Sequence, residues 1–138
     1  MKRVVIESPY AGKSANDILI NEAYGDLCMR DCLLNHNESP YASHLLYTRK
    51  FVLRDSIPGE RKLGIEAGFL WRDVAEKTVF YIDLGMTIGM KQGIDDCEEK
   101  GKDYEVRHLH PDLWKEFLVV EREIRKALPA MIDAYERS

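Results

Sequence analysis

The sequence predicts a three-layer α/β domain, Rossmann-like, with a mostly parallel sheet of four or five strands and a long C-terminal helix. Two observations predict it. Short β-branched or aromatic runs alternate with stretches of helical apolar spacing, in the order β-α-β-α-β-α-β-α, which favours parallel pairing with helices on both faces. One unit, moreover, shows the pattern in full: Thr78 to Ile82 reads as a buried strand, a tight turn follows, and Thr87 begins a helix that closes at Gly101. In open sheets of this kind the ligand sits beyond the carboxyl ends of the strands, where helix N-termini present unpaired N–H groups to anions. Asp83, Thr87 and the backbone of Gly89 and Met90 are therefore expected to face a site.

Lys2 to Ile6 is the first strand, and Glu7-Ser8-Pro9-Tyr10-Ala11-Gly12 is the loop at its carboxyl end, with Pro9 and Gly12 marking the turn. From about Ser14 to Asn35, Ile20, Tyr24, Leu27, Cys28 and Leu34 recur at helical spacing, and Asp31 falls on the same face, most simply as a hydrogen-bonded structural carboxylate. Tyr41 to Thr48 reads as a second strand and Arg49 to Pro58 as a loop. A helix then runs from Gly59 to about Lys77, with Leu63, Ala67, Leu70 and Val74 on its apolar face and Glu66 at the edge of that face. Gly64 and Gly68, four apart, allow it to press closely against a neighbour or ligand. Lys102 to His108 is the last strand. Pro111 opens the final helix, predicted over 111–136, with a stripe of Leu113, Phe117, Val120, Ile124, Leu128, Met131 and Tyr135, and Pro129 kinks it or ends its first part.

A chain of 138 residues with 45% apolar residues suits one domain, here 1–138 with a core over 2–109. Its formal charge of −4, without a long block of either sign, argues against a nucleic-acid polymer as partner. No apolar run approaches bilayer-spanning length. Cys28, Cys32 and Cys97 are odd in number and no signal peptide precedes them, so a reduced cytoplasmic protein with buried thiols is expected. Cys28 and Cys32 lack a second pair to complete a metal site, and neither a metal nor a cofactor is expected.

Gly12-Lys13-Ser14 after a strand invites a phosphate-loop reading, with Val79 to Asp83 as the strand and aspartate that hold magnesium. Glu7 stands where the first glycine belongs, and Pro9 removes an N–H that a phosphate cradle needs.

A second reading rests on several short motifs in order: Ser8-Pro9-Tyr10-Ala11-Gly12, Ser43-His44-Leu45, Pro58-Gly59-Glu60-Arg61 with Gly64-Ile65, and Thr87-Ile88-Gly89-Met90 with Cys97 and Gly101. Together, over about residues 2 to 109, they resemble the nucleoside 2-deoxyribosyltransferase-like superfamily, most closely its small uncharacterised bacterial and phage domains. The resemblance implies a flavodoxin-like sheet that binds a nucleoside or nucleotide at its carboxyl edge, usually in a homodimer. It implies that Ser8, Pro9, Tyr10 and Gly12 contact base or sugar, that Ser43 and His44 lie at the substrate, and that Thr87, Gly89 and Met90 receive a 5′-phosphate in the nucleotide-using members.

The chain departs from that pattern at one point. Active members carry a glutamate one turn into the helix, and the corresponding position is Gly93. Glycine supplies neither nucleophile nor charge, so the catalytic role passes to another carboxylate, with Glu7, Glu66 and Asp83 the candidates, or is absent. The expected functions are thus a nucleotide-binding protein that cleaves or transfers an N-glycosidic bond, and a module that binds or sequesters a nucleotide-derived small molecule without turning it over.

Overall fold

β1 (Lys2–Glu7) lies inside the sheet because Val4, Val5 and Ile6 are all buried, as a strand covered on both faces requires. In the computed structural model, which describes residues 1–127, it is followed by α1 (Ala15–Asn35), β2 (Glu38–Tyr41), α2 (Ser43–Leu46) and α3 (Pro58–Arg72). β3 (Lys77–Tyr81), α4 (Ile88–Glu99), β4 (Tyr104–Arg107) and α5 (Pro111–Lys126) complete the order. The four strands pair in parallel as β2-β1-β3-β4, so the chain moves to one side of β1 and then to the other. This is the three-layer, Rossmann-like architecture that the sequence predicts.

One face of the sheet packs Val4, Ile6, Val79 and Tyr81 against α1 and α5, where Tyr24, Cys28, Leu113 and Phe117 fill the core. The other face packs Phe80 against Met90 and Cys97 of α4. Two sequence signals end α4 where expected. Thr87 caps its start, accepting from the Met90 amide at 3.1 Å. At the far end Gly101 takes a positive φ of 64° while Lys102 N donates to Cys97 O and Gly101 N to Glu98 O, a Schellman closure. Gly85, at φ 94°, makes the tight turn after β3.

Three expectations change. The second strand is Glu38–Tyr41, not Tyr41 to Thr48, and Ser43–Leu46 is a single helical turn. Pro40 is tolerated within β2 because that strand is an edge and needs no donor on its outer side. The helix expected to reach Lys77 stops at Arg72. Its predicted apolar face points outward, with Leu63, Leu70 and Val74 at 55%, 70% and 57% exposure. Gly68 and Arg72 are buried instead, because a Cβ at Gly68 would meet Ser43 Oγ at 2.6 Å: the glycine permits a contact with α2 that a larger side chain would block. In α5, Leu113 and Phe117 are buried as predicted; Leu128, Pro129, Met131 and Tyr135 lie outside the described residues.

The α1 side of the sheet also carries a buried polar network. Arg107 donates to both oxygens of Glu38, at 2.8 and 3.0 Å, and to the Tyr81 hydroxyl at 3.1 Å. Lys77 reaches Glu38 at 3.0 Å. Asp31, fully buried, accepts from Tyr81 Oη at 2.8 Å and Asn35 Nδ2 at 2.7 Å, with His36 Nε2 at 3.2 Å, so its role is structural. Burial pushes the Glu38 carboxyl up, but the bonds from Arg107 and Lys77 outweigh it and hold the pKa down at about 2. A depressed carboxylate pKa stabilises the fold above the unfolded value and ceases to do so as pH falls through the folded one. Stability is therefore expected to fall by roughly 3 kcal/mol between about pH 4.5 and pH 2 on account of Glu38. Urea titrations should show a flatter pH profile in that window for Glu38→Gln, from a lower stability at pH 7.

Candidate functional site

At the carboxyl end of β1 a cavity of about 620 Å³ opens between α2, α3 and the start of α4. Ser8 stands on its wall where β1 ends, and its Oγ lies 2.7 Å from Nε2 of His44 on α2. Burial lowers the His44 pKa, with the Glu7 charge partly opposing, so the ring is neutral at neutral pH. Tyr10 meets the His44 ring edge-on, with centroids 6.4 Å apart. On the opposite side Thr87, Ile88, Gly89 and Met90 bring the first turn of α4 to the cavity. The amides of Ile88 and Gly89 are among those for which a helix has no internal acceptor.

Arg72, the last residue of α3, joins these walls. Its Nη2 donates to Glu7 Oε1 at 2.9 Å, its Nη1 lies 3.6 Å from Asp96 of α4, and its guanidinium stacks over Phe69 at 4.7 Å. The residue is 6% exposed, yet Nε and Nη1 have no hydrogen-bond acceptor. Gly93 provides its space: a Cβ there would sit 2.9 Å from Arg72 Nη2 and 3.0 Å from the Phe80 ring. A guanidinium thus occupies the surroundings of the position where the resemblance expects a glutamate.

Of the residues expected at the site, Glu7, Ser8, Tyr10, Ser43, His44, Thr87, Gly89 and Met90 line this cavity. Four others do not line it. Glu66 is exposed on α3, 3.9 Å from Lys62. Asp83 faces the α1 and α5 side, accepting from Tyr24 Oη at 2.6 Å and from the Leu109 amide at 3.0 Å, with His108 Nδ1 at 3.2 Å. It braces the β3 turn against α1 and the start of α5. Pro9 is buried in its loop, and Gly12 is exposed, packed on Asp17. The sequence reading missed Arg72 and Asp96. The available signal for Arg72 was its spacing of four from Gly68 and eight from Gly64, which marks the inward face of α3 once the apolar stripe is seen to point out. Arg61 pairs with Asp55 at 2.7 Å, and Glu60 accepts from the Arg54 amide, so these neighbours do not pair with each other.

Fold and cavity define a parallel α/β domain with a pre-formed cavity at the carboxyl edge of its sheet, where the strand order reverses. More particularly, the chain belongs to the family described as "Domain of unknown function (DUF7768)", whose model matches residues 2–107. No curated protein and no solved structure matches it. Among the described residues no cluster of three or more His, Cys, Asp or Glu is arranged to hold a metal, and no helix is long and apolar enough to cross a membrane.

The tight fit at Gly93 gives a direct test. Gly93→Ala is expected to cost about 1–3 kcal/mol by overpacking against Arg72 and Phe80. In an Arg72→Met background, where the flexible thioether can yield, the penalty in urea denaturation should shrink by at least half.

Proposed function

We propose that this cavity binds a nucleoside or nucleoside monophosphate, and that the protein is a nucleotide-binding member of the nucleoside 2-deoxyribosyltransferase-like group. The observation that carries the reading is that the N-terminus of α4 and the buried, incompletely paired Arg72 line one cavity with Tyr10, Ser8 and His44. Helix amides and a guanidinium favour an anion. Tyr10 offers a ring for a base, and the Ser8 and His44 side chains offer polar groups for a sugar.

The lining limits how much charge the ligand carries. Four carboxylates, Glu7, Asp55, Glu60 and Asp96, stand around the cavity against two arginines, so a monophosphate is accommodated better than a triphosphate. The cation beside Gly93 also disfavours positive charge developing on a sugar there, which is why binding ranks ahead of turnover. Cleavage of an N-glycosidic bond is the second reading. It is favoured by Glu7 and Asp96, two carboxylates converging on one guanidinium at the cavity wall, as glycosidic chemistry wants a pair. The outward Leu63 and Leu70 of α3, with Val74 just beyond it, support self-association as a dimer, and three buried free thiols suit a reducing, cytoplasmic setting.

Incubation with ribo- and deoxyribonucleosides and their mono- and triphosphates, followed by thermal shift and by chromatography of free base, tests both readings. Binding predicts a shift that is larger for monophosphates than for triphosphates, and that falls about tenfold in affinity for the monophosphate in Arg72→Met while the nucleoside is less affected. Base release abolished by Glu7→Gln would establish cleavage. No shift and no release with any ligand would overturn the nucleotide reading.

A further inference from the structure

We propose that Ser8 and His44 form a nucleophile–base pair for acyl transfer, with carboxylic esters as the substrate class. This proposal does not rest on the nucleotide reading. Its basis is the geometry of the pair within an open cavity. Ser8 Oγ and His44 Nε2 are 2.7 Å apart, the distance at which a hydroxyl proton passes to a neutral imidazole, and both residues line the cavity wall.

Three surroundings fit the chemistry. The ring is neutral, so one of its nitrogens carries no proton, and in the tautomer protonated on Nδ1 it is Nε2 that accepts the hydroxyl proton. The Glu7 carboxylate, held by Arg72, lies close enough to His44 to favour the imidazolium that forms when the proton arrives. The first turn of α4 lines the same cavity, and its Ile88 and Gly89 amides, which have no acceptor inside the helix, offer polar donors to a bound ester. One feature distinguishes the pair from a full triad. His44 Nδ1 is buried without a partner, so no carboxylate orients the ring through a hydrogen bond; burial and the edge of Tyr10 hold it instead. Slow turnover with accumulation of the acyl-enzyme is the expected behaviour.

The step balances without a redox partner. Ser8 Oγ bonds to the ester carbonyl carbon as its proton moves to Nε2. The bond from that carbon to the alcohol oxygen then breaks, and the proton on Nε2 leaves with the alcohol. A water next gives its proton to Nε2 as its oxygen bonds to the acyl carbon, and Ser8 Oγ departs, retaking the proton as the acid is released.

A fluorophosphonate probe tests this on the full chain, because it is attacked by an activated serine and displaces fluoride without needing the natural ester. Intact-mass analysis should show one probe per chain, and peptide mapping should place it on Ser8. Ser8→Ala should abolish the label. His44→Gln, which can still hydrogen-bond Ser8 but is not a base, should slow labelling about a hundredfold while thermal unfolding shows it folded. If that variant does not fold, imidazole added to His44→Gly should restore labelling. Absence of label, label on another serine, or equal rates in wild type and folded His44→Gln would overturn the proposal. Because no nucleotide enters the experiment, its failure leaves the nucleotide reading untouched, and the converse also holds.

Discussion

β1 has neighbours on both sides, β2 and β3, and all three run parallel. A parallel neighbour requires a crossover through a helix, so each pairing of β1 commits a segment of chain to one face or the other. The order β2-β1-β3-β4 then reverses direction at β1, and the connections that leave the carboxyl ends diverge there. The cavity exists because of that divergence. Glu7 and Ser8 end the inner strand, the α2 turn comes from one side and α4 from the other. The apolar run Val4-Val5-Ile6 is what places β1 inside, since only an inner strand removes both faces of such a run from water.

Arg72 ties this opening together. One guanidinium, on the last residue of α3, contacts the end of β1 through Glu7 and the body of α4 through Asp96. Breaking a buried pair by removing one partner leaves an uncompensated charge, so these three elements are held to one geometry by a single residue. Two glycines make the arrangement possible: Gly68 lets α3 approach α2, and Gly93 leaves room for the guanidinium. The glycine at position 93 is therefore matched to the arginine beside it.

The two faces of the sheet divide the polar residues between structure and site. On the α1 side, Glu38, Arg107, Tyr81 and Asp31 satisfy one another in a buried network, and Asp83 is saturated by Tyr24, Leu109 and His108. Groups so fully paired have little capacity left for a ligand. At the cavity, Arg72 and His44 retain nitrogens without partners, as does Asn16 at the start of α1 with its Oδ1.

Much of this was legible from local pattern. The class, the strand–turn–helix unit with its Thr87 cap and Gly101 closure, and the placement of Glu7, Thr87, Gly89 and Met90 at the cavity follow from apolar periodicity, capping chemistry and the rule that sites form at strand ends, whereas Ser8, Tyr10, Ser43 and His44 were expected there from the resemblance alone. These are properties of short segments, which neighbouring residues in the chain determine. The inward face of α3, the location of β2, the roles of Asp83 and Glu66, and the pairing of Arg72 with Gly93 were not legible. Each depends on which surface another part of the chain presents: Leu63, Leu70 and Val74 mimic a buried stripe, but a glycine-permitted contact with α2 turned the helix the other way. A segment's own sequence specifies its periodicity and its ends, whereas the partner that its faces meet is chosen only when distant segments pack.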